Sequence, residues 1–321
     1  MSAPALTFRA DLQGLRAVAI ILVVLTHAGM PGLPGGFIGV DVFFVLSGYL
    51  ISGLLVREYL ESGRISLLTF VARRLKRLLP ALLVMLSLVM LLGSVLLSSH
   101  EFTEQTASAA YAATWTSNLF FTFKTFDYFA ELHLRDLFLH TWSLGVEEQF
   151  YLVWPSLAIL LIASAGRNLA AASGWRLLLT AIGMIFIASL ALSLCWSATS
   201  PLWAFYLMPS RIWQFALGAA VFVWLERRRQ QASGTAEAGQ SIWEVVSGFV
   251  GVVLVIGSAV FLHPQLVYPV GWALLPSAGA AMLIAAGHKG GMRGASRALS
   301  HPAMVWIGNR SYSWYLWHWP V

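Results

Sequence analysis

A chain of 321 residues with 58% hydrophobic and only 11% charged residues has too little polar surface for a water-soluble globule, since ordinary soluble domains carry about 25% charged residues. With a mean hydropathy of +0.74, this excludes soluble enzymes, nucleic-acid modules, coiled coils and disordered scaffolds, and leaves an all-α polytopic membrane bundle. The net charge of +6 then reads as the Lys/Arg excess of cytoplasmic membrane loops, and the single Cys195 rules out an internal disulfide and gives no sign of zinc or redox chemistry.

Apolar stretches of about 20 residues, the length that crosses a bilayer, predict spans near 14–30, 36–56, 79–98, 144–165, 177–197, 209–226, 243–262, 270–287 and 303–321. A further stretch, 105–124, is poorer in strongly apolar residues and reads as a crossing, a re-entrant segment or an interfacial helix. The expectation is nine or ten transmembrane segments with no soluble domain between them and no internal repeat. The first span has the length of a signal peptide. Arg9, Asp11 and Arg16, and the want of a small-residue cleavage site, argue that it is retained.

Basic residues set the orientation. Arg57, Arg64, Arg73, Arg74, Lys76 and Arg77, then Arg227, Arg228 and Arg229, then Lys289, Arg293 and Arg297, follow alternate spans. Placing these groups and the N-terminus in the cytoplasm also puts Arg167 and Arg176 there, and leaves Lys124, Arg135, Arg211 and Arg310 as exceptions. In this arrangement the stretch 99–143 begins and ends outside, so 105–124 does not cross alone.

Ionisable residues inside spans are costly and are functional candidates by default. Arg16 and His27 lie eleven residues apart on the first span, which at 100° per residue returns to nearly the same face after a rise of roughly 16 Å. From the pair alone, a snorkelling Arg and a hydrogen-bonded packing His is the favoured explanation. On the second span, Asp41 needs a partner to remain charged, whereas Ser47 reads as bonding back onto its own helix. Arg73, Arg74, Lys76 and Arg77 suit anionic lipid headgroups, or a phosphate cradle in which Arg74 and Arg77 share a helical face. In HTWSLGVEEQFYLVWP, 140–155, His140 and Ser143 precede the adjacent carboxylates Glu147 and Glu148, of which only one is expected to face a site squarely. A carboxylate near a His can orient it for acyl transfer, and the topology puts Glu147 and His27 in the same outer half. Arg211 reads as an anchor at the outer interface, and His318 as part of an aromatic belt at 312–319. The spacing of His100, His133 and His140 fits no ordinary metal motif, and His263, His288 and His301 read as loop residues.

Together RAVAIILVVLTH (16–27), GGFIGVDVFFVLSGYLI (35–51), ARRLKRLLPA (72–81), HTWSLGVEEQFYLVWP (140–155), SRIWQFALGA (210–219) and SYSWYLWHWPV (311–321) resemble the membrane acyltransferase-3 family, whose members O-acylate bacterial surface glycans such as lipopolysaccharide O-antigen and peptidoglycan. The motifs follow family order over essentially the entire chain. The resemblance implies that His27 is the catalytic base of an Arg-x10-His motif with Arg16. It implies that Arg74 and Arg77, with neighbouring Arg73 or Lys76, bind acyl-CoA on the cytoplasmic side. Glu147 matches the acidic position of an SL-x-x-E motif, with Glu148 a more variable neighbour. The expected roles for Glu147 or Asp41 are to support the His27 imidazolium, with Ser143, Arg211 and His318 in supporting places. Gln214 stands where relatives often carry Glu, which is expected to weaken a pair with Arg211.

No permanently bound cofactor or metal is expected; acetyl-CoA is the donor substrate and an envelope glycan the acceptor. The resemblance also leads us to expect a single transmembrane domain over 1–321, truncated at its C-terminus, with an SGNH-type domain or a separate periplasmic transferase as partner. A polytopic transporter, or a flippase-like partner of glycan assembly without acyl-transfer chemistry, is the alternative, since buried ionisable residues also build transport paths.

Overall fold

The computed structural model describes residues 8–123, 136–165, 172–231, 241–263, 265–266, 268–269, 271–288 and 293–321. Lys124, His133, Arg135, Arg167 and Lys289 lie outside the described residues. The described residues form an all-α membrane bundle.

The longer helices in chain order are α1 (Ala10–His27), α2 (Gly39–Ser62), α3 (Leu67–Leu96), α4 (Ser99–Ala113), α5 (Ser117–Phe123), α6 (Trp142–Ala165) and α7 (Ala172–Thr199). They are followed by α8 (Pro201–Tyr206), α9 (Ile212–Gln231), α10 (Ile242–Phe261), α11 (Leu274–Ala286), α12 (Gly294–Leu299), α13 (Pro302–Asn309) and α14 (Ser311–Trp317). Helix ends follow local chemistry. Gly63, in the left-handed region at φ 71°, stops α2, and Ser66 caps α3 by accepting from the Thr69 backbone N–H. Ser98 with Glu101 and Ser241 with Glu244 form capping boxes for α4 and α10.

Five stretches among the described residues are long and apolar enough to cross a membrane: 10–27, 36–62, 67–96, 173–199 and 242–261. This is fewer than the nine or ten spans that the hydropathy predicts. Helices α6 and α9 have the length but carry charges; α11 has only 13 residues. The stretch expected to be one span at 303–321 is instead the short pair α13 and α14, broken at Arg310. The stretch 105–124 is likewise broken, with Trp115 at φ 53° between α4 and α5, and neither piece is long enough to cross. Helix α3 begins twelve residues before the predicted span, so the basic cluster lies within its first turns rather than in a linker.

Helix α2 is the central post. Its residues are buried for 78% of the span, against 33% for α3 and 28% for α10, so α2 faces protein on almost every side. Phe44, Ile51 and Leu55 pack with α6, α7 and α9, while Val42, Val45 and Leu46 pack with α1, α10 and α11. Small residues bring α2 and α9 into backbone contact. A Cβ on Gly48 would lie 1.9 Å from the Phe215 carbonyl oxygen, and one on Gly218 would lie 2.0 Å from that of Val45. This crossing fixes the helices that hold the polar residues.

Candidate active site

Between α1, α2, α3, α6 and α14 lies a cavity of about 330 Å³ that collects Arg16, Ser47, Arg74, Arg77, Ser143, Glu147, Glu148 and Tyr151. Glu147 and Tyr151 share a face because they are four residues apart on α6. The Glu147 carboxylate accepts hydrogen bonds from the Tyr151 and Ser47 hydroxyls, tying α6 to α2. The Arg74 guanidinium lies 3.7 Å from the Tyr151 ring centroid, a cation–π contact that holds it without consuming its donors. Arg74 Nε has no hydrogen-bond partner among the described residues. Arg16 donates through Nε and Nη2 to Ser311 Oγ at 3.2 and 2.9 Å, joining α1 to α14. The cavity therefore joins three guanidinium groups to two carboxylates in a partly apolar wall.

A second cavity of about 320 Å³ shares Gln13 and Leu50 with the first, and is lined by Arg9, Arg57, Glu226, Arg229 and His288. Residues that the charge rule assigns to the cytoplasm thus surround the same end of the bundle as Arg16, Arg74 and Arg77.

His27 lies at the other end of α1, exposed at the helix terminus. Its ring is 5.1 Å from that of His318 and 4.9 Å, edge to face, from Trp319. His318 is in turn 5.4 Å from the ring of His140, which is buried. Ser143 and Tyr315 stand between this cluster and the cavity: their hydroxyls are 2.5 Å apart, and Tyr315 Oη donates to the His140 carbonyl oxygen at 2.8 Å. Among the described residues, no group of His, Cys, Asp and Glu has the arrangement of a metal site.

Asp41 belongs to a third assembly. Arg211 Nη1 and Gln214 Nε2 donate to its Oδ1 at 3.3 and 2.5 Å, and the Tyr268 hydroxyl donates to Oδ2. Arg211 is 1% exposed, donates through Nε to the Phe205 carbonyl oxygen at 3.0 Å, and has Phe205 and Tyr268 rings beside it.

Several expectations are corrected by these contacts. Glu147 meets Ser47, Tyr151 and the Arg16 end of α1, while His27 lies about 16 Å further along the same helix; the carboxylate is not beside the imidazole. Asp41 is engaged by Arg211, Gln214 and Tyr268 rather than by His27. Both Glu147 and Glu148 line the cavity, because the wall wraps around α6 widely enough to take side chains 100° apart. Arg211 is a buried ion-pair partner, not an interfacial anchor. Gln214 donates to Asp41 rather than pairing with Arg211. Ser47 bonds across to α6 rather than back to its own helix. Arg73 is exposed and lies 3.7 Å from Glu58, and Lys76 is exposed, so neither joins Arg74 and Arg77 in the cavity lining.

The sequence reading missed Tyr151, Ser311, Tyr315 and Trp319. For Tyr151 a signal existed, since it follows Glu147 at helical spacing. Nothing local could have joined Ser311 to Arg16.

Residues 9–321 match the family model described as Acyltransferase domain, Acyl_transf_3. Peptidoglycan O-acetyltransferase OatA of Listeria monocytogenes is 30% identical over 316 residues, covering 97% of this chain and 49% of that protein. The "Putative membrane-bound transacylase BcsY" of Komagataeibacter xylinus is 36% identical over 314 residues, covering 97% of this chain and 72% of that protein. The chain thus spans about half the length of the Listeria relative. No solved structure matches significantly. The chain belongs to this acyltransferase family.

Proposed function

We propose that this member of the acyltransferase family takes an acetyl group from acetyl-CoA at the Arg74 and Arg77 end of the bundle and delivers it to a hydroxyl of an envelope polysaccharide at the His27 end. The observation that carries this reading is the bundle's polarity. A cavity lined by three arginines lies at one end of α1, an exposed imidazole lies at the other, and the Ser143–Tyr315 pair that lines the cavity also bonds the His140 carbonyl oxygen of the histidine cluster. An enzyme that accepts a phosphorylated donor on one side of a membrane and a glycan on the other needs such an arrangement. The name of the Listeria relative favours peptidoglycan as the acceptor class, with lipopolysaccharide O-antigen its counterpart in a Gram-negative envelope.

In this reading the N-terminus and the paired cavities face the cytoplasm across the inner membrane. Arg74 and Arg77 take phosphate oxygens, for which guanidinium forks are suited. Glu147 holds Ser47 and Tyr151 in place, and so fixes the surface over which the Arg74 guanidinium lies. Arg16 clamps α14 against α1. The pantetheine arm passes the Ser143–Tyr315 pair and brings the thioester toward His27. His27 takes the proton of the acceptor hydroxyl as general base; the oxygen attacks the carbonyl, a C–O bond forms and the C–S bond breaks. No carboxylate supports the imidazolium in the described contacts. The Trp319 and His318 rings are its neighbours instead. An SGNH-type domain or a separate periplasmic transferase completes delivery where the acceptor lies beyond the reach of His27.

The test is acetyl-CoA turnover by the purified chain in liposomes, read as CoA release with a mixed envelope-glycan acceptor. His27→Ala is expected to lower turnover by about 10²–10⁴-fold with acetyl-CoA binding retained. Turnover near wild type in that variant, or failure of the wild type to bind acetyl-CoA, would overturn the reading.

A further inference from the structure

We infer that the second cavity is the nucleotide subsite of the donor: it receives the adenosine 3′-phosphate end of coenzyme A, while the first cavity holds the diphosphate and the pantetheine arm. This rests on the acetyl-transfer reading above and extends it to a cavity which that reading leaves without a role.

The two cavities adjoin along α1 and α2, where Gln13 and Leu50 line both. Arg16, three residues after Gln13, faces the first cavity, and Arg9, four residues before it, faces the second. On α2, Leu50 and Arg57 are seven residues apart, which places them on nearly one face with a rise of roughly 10 Å. The cavities, of about 330 and 320 Å³, each stand at the bottom of the range of ligand sites, about 300–1,000 Å³. A donor with both a nucleotide and a pantetheine arm needs the pair of them.

Gln13 marks the neck between them. Its Oε1 is buried and has no hydrogen-bond partner among the described residues. A buried amide oxygen left unpaired is unfavourable, and a ligand that passes from one cavity into the other brings a donor to it. The adenine amino group, the ribose hydroxyl and the pantetheine amides are such donors.

Charge selects which end of the donor lies in the second cavity. Two of its guanidinium groups are already matched. Arg9 donates to the Asp11 carboxylate through Nε and Nη2 at 3.1 and 2.5 Å and to the Tyr49 hydroxyl at 3.0 Å, and Arg229 lies 2.6 Å from Glu226. Arg57 is half-buried and has neither an acidic partner nor a side-chain hydrogen bond among the described residues, and His288 shares its cavity. An unmatched guanidinium fork suits a phosphate monoester, whereas the pantetheine arm carries no charge for it. The rest of the wall suits a base. Tyr49 and Phe222 meet edge to face at 5.7 Å, and Phe8, 69% exposed, adds an aromatic surface on which a purine can stack. An anionic lipid headgroup shares the phosphate chemistry but brings neither a base nor a continuation into the first cavity.

Binding to the purified chain in liposomes tests this with CoA and with dephospho-CoA, which lacks only the 3′-phosphate. Wild type is expected to bind CoA about tenfold more tightly than dephospho-CoA. Arg57→Ala, which removes no hydrogen bond among the described residues, is expected to weaken CoA about tenfold and to leave dephospho-CoA within about twofold. Gln13→Leu is expected to weaken both alike, about fivefold, because the neck meets a part that the two ligands share. Equal binding of the two by wild type, or an Arg57→Ala loss equal for both, would overturn the assignment. So would unchanged binding of both by Gln13→Leu, which would separate the cavities. The Arg57→Ala loss is expected to be the same in vesicles of phosphatidylcholine alone and in vesicles with added phosphatidylglycerol; a loss confined to the latter gives the cavity to a lipid headgroup instead. A wild type that binds no CoA removes the acetyl-transfer reading as well, whereas CoA binding that is indifferent to Arg57 sinks the subsite alone.

Discussion

Two of the polar assemblies in this bundle, those around Asp41 and His140, are built on opposite plans. Around Asp41, both carboxylate oxygens are occupied by Arg211, Gln214 and Tyr268, and Arg211 is further bonded to a backbone carbonyl. Around His140, no side chain among the described residues bonds its ring nitrogens or Nε2 of the adjacent His318. The first assembly joins the central α2 to α9 and to the segment before α11 through side-chain hydrogen bonds. The second is held by ring contacts among His27, His140, His318 and Trp319. A membrane interior penalises unpaired polar groups, so the bonded network around Asp41 acts as a brace.

The largest effect should come from opening the brace. Asp41→Ala leaves Arg211 buried without its counter-charge, which costs about 3–5 kcal/mol, read as a lowered midpoint of thermal unfolding in detergent. Replacing both Asp41 and Arg211 with apolar residues of similar volume should recover most of that loss; a double variant no more stable than Asp41→Ala would break the comparison. Next, Arg74→Ala with Arg77→Ala should raise KM for acetyl-CoA about 10–100-fold, corresponding to roughly 1.4–2.8 kcal/mol of binding, with a smaller change in kcat; titration of the donor in the liposome assay separates the two. Ser143→Ala removes one hydroxyl from the wall between cavity and histidines while leaving Tyr315 bonded to the His140 carbonyl oxygen, and should shift unfolding by about 1 kcal/mol or less.

The placement of several residues was legible from spacing. Arg16 and His27 fall along one helix, Arg74 and Arg77 share the cavity, and Glu147 lines it, because a helix repeats every 3.6 residues wherever it forms. Hydropathy located the long helices for the same local reason. It failed at 303–321 and 105–124, where an apolar run conceals a break: at Arg310 between α13 and α14, and at Trp115 with its positive φ between α4 and α5. Composition records that such segments are apolar and not that the backbone turns within them.

What the sequence alone determined, then, is a membrane bundle of helices, the family to which its motifs point, and the residues that need explaining. Which of them meet was decided by tertiary packing. Asp41 and Arg211 are separated by 170 residues and become partners because Gly48 and Gly218 let α2 and α9 touch along their backbones. His27, His140 and His318 come from three distant segments and cluster because α14 lies against α1, held by Arg16 on Ser311, and meets the start of α6 through Tyr315. Periodicity is a property of neighbours along the chain. The partner of a buried charge is set by which helices pack together, and no local pattern carries that information.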